Sequence, residues 1–237
     1  MQGGKRNYDV IVIGGGASGM MSAGRAGERG KSVLLIEKNT DVGRKLDITG
    51  GGRCNITNAE FDKHVFLKNY GKAQQFLYSP LSVFGVQDTF DFFTKRGLPI
   101  VVEARKRAFP ETQKATDVTR VMKKYLKDNG VRILPKTTVQ DLRTENGRVV
   151  EAITSRGTYS ADKFIIATGG VSHPETGSTG DGFKWLARCG HTVNPPTPTI
   201  VPIKVRDAWV KELSGVTFSN MKITFFSDGK KAFSKKG

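Results

Sequence analysis

The residues best placed to do chemistry begin with Gly14-Gly15-Gly16-Ala17-Ser18-Gly19, which fits G-x-G-x-x-G. Each glycine has its own task. Gly14 permits a tight turn, Gly16 lets the backbone approach a pyrophosphate, and Gly19 lets a helix pack closely on a strand. Ala17 and Ser18 open that helix, whose N-terminus offers free N–H groups and a positive dipole end to phosphate oxygens. Glu37, about twenty residues on, can accept from both hydroxyls of an adenosine ribose and would repel a 2′-phosphate.

A motif of this kind means something only in its context, and the flanking elements supply it. Tyr8–Ile13 reads as a short buried parallel strand, and Ala17–Arg29 as a helix closed by Gly30. Ser32–Ile36 reads as a second buried strand that runs into Glu37. Strand, helix and strand make a right-handed βαβ unit. A nicotinamide enzyme would continue with regular βαβ repeats. Here a long glycine loop and a β-meander follow, which favours FAD over NAD.

That loop is Lys38–Asn58, with Gly50-Gly51-Gly52 at its centre. Consecutive glycines let backbone N–H groups face a flat ring at close range. Arg44, Lys45 and Arg53 supply charge-assisted donors for phosphate oxygens or a reduced flavin anion. Residues 71–96 read as helical, with Phe76, Leu77, Phe84, Phe90 and Phe93 as core. Lys114–Asn129 is a clearer amphipathic helix, with Val118, Val121, Met122, Tyr125 and Leu126 on one face. Residues 137–142, 148–154 and 163–167 read as strands, with Asn146-Gly147 as a hairpin turn. A second polar glycine loop, Ser172–Gly182, opens a short helix over Phe183–Cys189.

Pro195, Pro196, Pro198 and Pro202 mark a boundary. The expected class is therefore α/β: a Rossmann-like FAD-binding domain with a β-meander over 1–194. The start of an inserted β-rich domain would follow over 195–237. Residues 199–227 look strand-like, and no element is expected at the end.

The bulk numbers are consistent with a folded chain of 237 residues, 37% of them hydrophobic. With 38 basic and 22 acidic residues the formal charge is +16, which favours anionic partners. Two cysteines, Cys54 and Cys189, make no disulfide framework and lack C-x-x-C spacing. No apolar run approaches the ~20 residues of a membrane span. The expected location is cytoplasmic, and no metal site is evident.

The catalytic candidates are few. Cys54, between Arg53 and Asn55, is either a thiol activated by neighbouring positive charge or a packing cysteine. His173 is either a proton donor to substrate or a surface histidine. Asp181 orders the loop, binds a ribityl hydroxyl, or caps the next helix.

Gly43-Arg44-Lys45-Leu46 followed by Thr49–Asn58 resembles a signature of the bacterial HI0933-like family of NAD(P)/FAD-dependent oxidoreductases. That family is related in fold to the fumarate reductase flavoprotein group. Ala167-Thr168-Gly169-Gly170 and Gly177–Gly182 resemble its later motifs. The resemblance implies FAD contacts at Gly14, Gly16, Ser18, Gly19, Glu37, Lys38, Arg44 and Lys45. It implies further contacts from the 50–55 loop, which includes Gly51, Gly52, Arg53, Cys54 and Asn55. Val139 would touch adenine through its backbone, and Ala167, Thr168 and Gly169 would line the cofactor, with Asp181 close by. The family normally returns to the FAD domain after its inserted domain. Nothing here matches that return, so the chain is expected to be a fragment or an incompletely represented protein.

The leading expectation is an FAD-dependent oxidoreductase that takes hydride from a transiently bound NAD(P)H. Its acceptor would be a small molecule, with an activated C=C bond favoured by the resemblance. One alternative makes RNA the substrate, held along basic positions at 105–107, 123–124, 230–231 and 235–236. Another is a non-catalytic flavin electron-transfer protein. Oligomeric state is not legible.

Overall fold

The structure, a computed structural model, describes residues 7–198, 204–216 and 221–236. The chain divides into two compact units, Met1–Pro196 and Thr197–Gly237.

The first unit opens with β1 (Asn7–Ile13), α1 (Ala17–Glu28) and β2 (Val33–Ile36). Next come α2 (Arg44–Gly52), β3 (Thr57–Asn58), α3 (Lys63–Lys68), α4 (Gln74–Val83) and α5 (Val86–Thr94). Then follow β4 (Ile100–Glu103), β5 (Arg107–Pro110), α6 (Ala115–Asp128) and β6 (Arg132–Leu134). A meander of β7 (Val139–Glu145), β8 (Arg148–Thr154) and β9 (Gly157–Ile166) leads to α7 (Asp181–Arg188).

The main sheet runs β6-β2-β1-β9-β8-β7. Its first four strands are parallel neighbours, and the last three form the antiparallel meander. Successive side chains of a strand point to opposite faces, so β1 and β2 feed two cores. Val10, Val12, Val33 and Leu35 pack with Met20 and Ala23 of α1 and with Val118, Val121, Met122, Tyr125 and Leu126 of α6. Ile11, Ile13, Leu34 and Ile36 pack with Val139, Leu142, Ala152 and Trp185. Burial on both faces explains why these strands read as continuous apolar runs. The Asn146-Gly147 turn has positive φ at both positions, 49° and 73°, as a two-residue hairpin of this type requires.

The structure departs from the sequence reading at several elements. Residues 71–96 are largely helical, as read, but in separate pieces, and their expected core differs. The chain breaks at Phe84 (φ −145°, ψ 91°), and Gly85 N–H donates to Asp88 Oδ2 at 2.8 Å to start α5 afresh. The break resets the helical phase, so Phe76 is 80% exposed and Phe84 39% exposed, while Phe92 joins Phe93 inside. Residues 44–52 form α2 within the expected loop. It unwinds at Thr49 (ψ 141°), and Gly50 and Gly51 are left-handed. A three-stranded antiparallel sheet, β3-β5-β4, was not expected. Neither was β6. These strands are two to four residues long, too short for any period to register. The last helix of the unit begins at Asp181, two residues before the expected start.

The second unit is an antiparallel hairpin of β10 (Lys222–Ser227) and β11 (Lys230–Lys236), preceded by a 3₁₀ turn at Ala208–Leu213. An element therefore does occupy residues 230–236. Its signal was Asp228-Gly229, whose positive φ values of 51° and 71° make a two-residue turn. Positions 199–203 and 217–220 of the expected strand region lie outside the described residues. Among the described residues, no helix is long and apolar enough to cross a membrane.

Candidate functional site

Three adjacent parallel strands, β2, β1 and β9, end side by side, and the chain turns away from each at its carboxyl end. In an open α/β sheet a crevice forms there, where the strand order reverses. Gly14 N–H donates to Ile36 O at 2.9 Å, and Ala167 N–H donates to Ile13 O at 2.8 Å, stitching the three ends together. Gly14 has φ +102°, and a Cβ there would sit 2.5 Å from Ala167 O. A Cβ on Gly19 would sit 1.7 Å from Gly14 O, so only glycine lets α1 lie this close to β1. Gly16 differs: its Cβ position meets nothing within 4 Å, because it opens on the crevice at the N-terminus of α1.

The crevice has a volume of about 450 Å³, inside the ~300–1,000 Å³ range of ligand sites. Gly14, Gly16, Ala17 and Ser18 form its floor, with Ala167, Thr168 and Gly169 beside them. Glu37, Lys38 and Val139 line it too, as do Arg44, Lys45 and Thr49 of α2. Asp181 completes the wall. These predicted residues come from six separate stretches and meet in one cavity.

Glu37 is buried, and its carboxylate is firmly held. Oε2 accepts from Gly15 N–H at 2.6 Å, and Oε1 accepts from Asn39 N–H at 2.7 Å and from the Asn39 amide at 2.8 Å. Three of its roughly four acceptor positions are thus taken by protein. Across the crevice, the 172–181 loop is held by side chains that follow β2. Lys38 Nζ donates to Thr179 Oγ1 at 2.8 Å and pairs with Asp181 Oδ2 at 3.2 Å. Asn39 Nδ2 donates to Thr176 O at 3.0 Å. Lys45 Nζ donates to Ser172 O and to Ser178 Oγ, each at 2.6 Å. Asp181 sits in the first turn of α7, and its carboxyl lies below the usual range because the Thr179 hydroxyl donates to it, with Lys38 adding to the effect.

Residues 8–227 match the HI0933-like protein Rossmann domain. The chain belongs to the HI0933-like family.

Two relatives and one structure place this HI0933-like chain further. It is 31% identical over 210 residues to a 3-dehydro-bile acid delta(4,6)-reductase of Clostridium scindens, covering 87% of this chain and 50% of that protein. It is 30% identical over 206 residues to the ribosomal RNA dihydrouridine synthase of Escherichia coli, with the same 87% and 50% coverage. The chain therefore spans about half the length of these curated relatives. The open conformation of a flavocytochrome c3 fumarate reductase superposes with a TM-score of 0.61 at 20% identity, over 78% of this chain and 41% of that one. The fold is that of FAD-binding flavoenzymes.

Not every expected residue of the HI0933-like chain reaches the crevice. Gly19 lies beneath the floor. Gly51, Gly52, Arg53, Cys54 and Asn55 are not in the wall, although Thr49 just before them is. Asn55, oriented to donate, bonds Thr57 O at 3.0 Å and Ala108 O at 3.2 Å. Cys54 is 2% exposed, and burial, with the Asp47 carboxylate adding to it, pushes its thiol up to about 11. Of the two readings of Cys54, burial favours the packing cysteine: the guanidinium of Arg53 is turned to Glu103, and desolvation dominates at the sulfur. His173 is exposed and bonds Glu175 Oε1 at 2.8 Å outside the crevice. Much of the expected basic track is engaged by acids. Lys106 pairs with Glu60, Lys123 with Asp41, Lys124 with Asp128, and Arg107 with Glu103. Lys230, Lys231 and Lys235 stand exposed on the hairpin of the second unit.

Several wall residues were missed from sequence. Asn39, Thr49, Thr137, Thr138, Thr176, Ser178 and Trp185 all line the crevice. Thr49 and Ser178 had a signal, since they lie in the Thr49–Asn58 and Gly177–Gly182 motifs, and so did Trp185, which lies on the apolar face of a short amphipathic helix.

Proposed function

We propose that the crevice holds FAD and that the whole protein is an FAD-dependent oxidoreductase, with NAD(P)H as donor and an electron-poor C=C bond as acceptor. The observation that carries this reading is the open space at Gly16 on the N-terminus of α1, with Glu37, Arg44 and Lys45 in the cavity wall. That arrangement matches a ribose-pyrophosphate: a carboxylate with one acceptor position left for a hydroxyl, and free N–H groups and cations for phosphate. Bound FAD supplies hydride transfer, and the chain supplies binding, orientation and electrostatics. Gly14, Gly16, Ala17 and Ser18 would cradle the pyrophosphate, Glu37 and Lys38 the adenosine ribose, and Val139 the adenine. Ala167, Thr168 and Gly169 would line the cofactor beside them, with the 172–181 loop as a further wall.

The acceptor class draws on the relatives' names. A delta(4,6)-reductase and a dihydrouridine synthase both describe hydrogen added across a C=C bond, in one case of a steroid and in the other of a pyrimidine. The test is a visible spectrum of the purified full-length protein before and after anaerobic NADPH. Flavin bands that bleach support the reading. Flavin bands that persist with both NADPH and NADH remove the donor assignment, and a colourless protein removes the cofactor.

The synthase relative and the formal charge of +16 favour a second reading, in which the C=C bond belongs to an RNA base. Binding to ribosomal RNA that weakens steeply with salt supports it. Binding that ignores salt argues for a small-molecule acceptor.

A further inference from the structure

Arg53 lies outside the crevice wall, yet it is held with unusual care. Its Nη1 donates to Glu103 Oε1 at 3.0 Å, Glu103 Oε2 at 3.2 Å and Gln113 Oε1 at 3.1 Å. Its Cζ lies 4.1 Å over the Phe109 ring, and Arg107 approaches the same ring at 5.7 Å. Glu103 and Arg107 face each other across the β4–β5 ladder, so the small sheet that was not foreseen serves to assemble this group. Arg53 keeps 38% of its side-chain surface and Glu103 31%, which leaves the group open to a ligand. Arg105, Lys106 and Gln113 adopt positive φ beside it, as does Cys54.

The group also abuts the crevice. Thr49 lines the cavity, Cys54 N–H donates to Thr49 O at 2.9 Å, and a Cβ on the intervening Gly50 would meet the Phe109 ring at 3.4 Å. On the FAD reading, with Glu37 toward the ribose and Gly16 at the pyrophosphate, the rest of the dinucleotide would run past α2 toward Thr49. The Arg53 group would then border the part of the cavity that Thr49 lines, where a substrate would meet the reacting ring.

We propose that Arg53, oriented by Glu103 and Gln113 and backed by Phe109, is the residue that binds the carbonyl or carboxylate oxygen conjugated to the substrate's C=C bond. This rests on the FAD reading for its polarity. Only one terminal nitrogen of the guanidinium is engaged by Glu103 and Gln113, and a guanidinium has five N–H donors in a planar fork. The remainder suits an oxygen that carries negative charge, with the Phe109 face holding the fork flat.

The probe is 4-nitrophenolate, a flat ring bearing one anionic oxygen, titrated by calorimetry into full-length protein as purified. FAD affinity is measured separately by flavin fluorescence. Arg53→Gln should weaken the probe by about tenfold or more and leave FAD within about twofold. Arg53→Lys, which keeps the charge without the fork, should fall between, and Glu103→Gln should weaken the probe less than Arg53→Gln. Thermal melts identify any variant that has failed to fold, and the Glu103→Gln and Arg53→Lys pair then carries the comparison. No probe binding by the wild type, or equal binding by wild type and Arg53→Gln, overturns the proposal. So does a parallel loss of FAD and probe, which would return Arg53 to the cofactor. Absence of flavin in the wild type would remove the FAD reading, while the calorimetric comparison still decides Arg53.

Discussion

The ammonium of Lys45 donates to the Ser178 hydroxyl at 2.6 Å, joining α2 to a loop 133 residues further along the chain. With Lys38 and Asn39 it ties the 172–181 loop to the crevice through hydrogen bonds.

Lys45→Met should raise amide hydrogen exchange across residues 176–181 by about tenfold, because it removes two of the hydrogen bonds that hold the loop. Under the FAD reading it should also weaken flavin binding by about 10–100-fold, the range for losing a charged hydrogen-bond donor. Exchange mass spectrometry and flavin fluorescence measure the two. Unchanged exchange would show that the loop is held by something other than these bonds.

Gly19→Ala should be costly. Its Cβ would lie 1.7 Å from Gly14 O, and backbone cannot step aside as a side chain can. Overpacking of this kind costs about 1–3 kcal/mol, and Tm should fall by about 2–4 °C for each kcal/mol in a chain this size. Gly170→Ala is the control, since its Cβ position meets nothing within 4 Å. Equal melting of the two variants would argue against tight packing of α1 on β1.

Tyr125 gives a pH prediction. It is buried and its hydroxyl donates to Glu28 Oε2 at 2.8 Å, while burial first, and then Glu28, push its pKa from 10.0 up to about 12. A raised folded pKa means stability that is complete below the unfolded value and is lost as pH rises through the folded one. The window is therefore pH 10.0 to about 12. Tyr125→Phe should be less stable than wild type by about 1 kcal/mol near neutral pH. The gap should shrink through that window, as read by urea unfolding of both proteins. A gap constant with pH would mean that the tyrosine does not titrate with folding.

The thiols should separate by reactivity. Cys54 is buried with its pKa pushed up to about 11, whereas Cys189 is partly exposed. A thiol-specific reagent at mildly alkaline pH should label Cys189 in the native protein and Cys54 only after denaturant is added. Rapid native labelling of Cys54 would restore it as a reactive residue.

The βαβ unit and its likeness to a dinucleotide fold were readable without coordinates, and the physical reason is local. A glycine that must turn, one that must face a phosphate and one that must pack on a strand lie within six residues, and the acid follows at the next strand end. Amphipathic α6 was equally plain, because its whole apolar face faces one core. The two-residue turn at Asn146-Gly147 was readable for the same reason, and the one at Asp228-Gly229 was available and overlooked.

Tertiary structure alone decided the rest. Whether residues 71–96 are one helix or two depended on a break at Phe84 and Gly85 that no apolar period announces. Strands of two to four residues acquire identity only from the partner they pair with. The grip of Lys38 and Lys45 on the 172–181 loop links positions more than 120 residues apart. The company of Arg53 and the burial of Cys54 are likewise long-range. Sequence thus determined where the glycine turns and the βαβ unit lie, and packing decided which side chains reach the cavity, because a side chain's neighbours are set by how distant strands and loops converge.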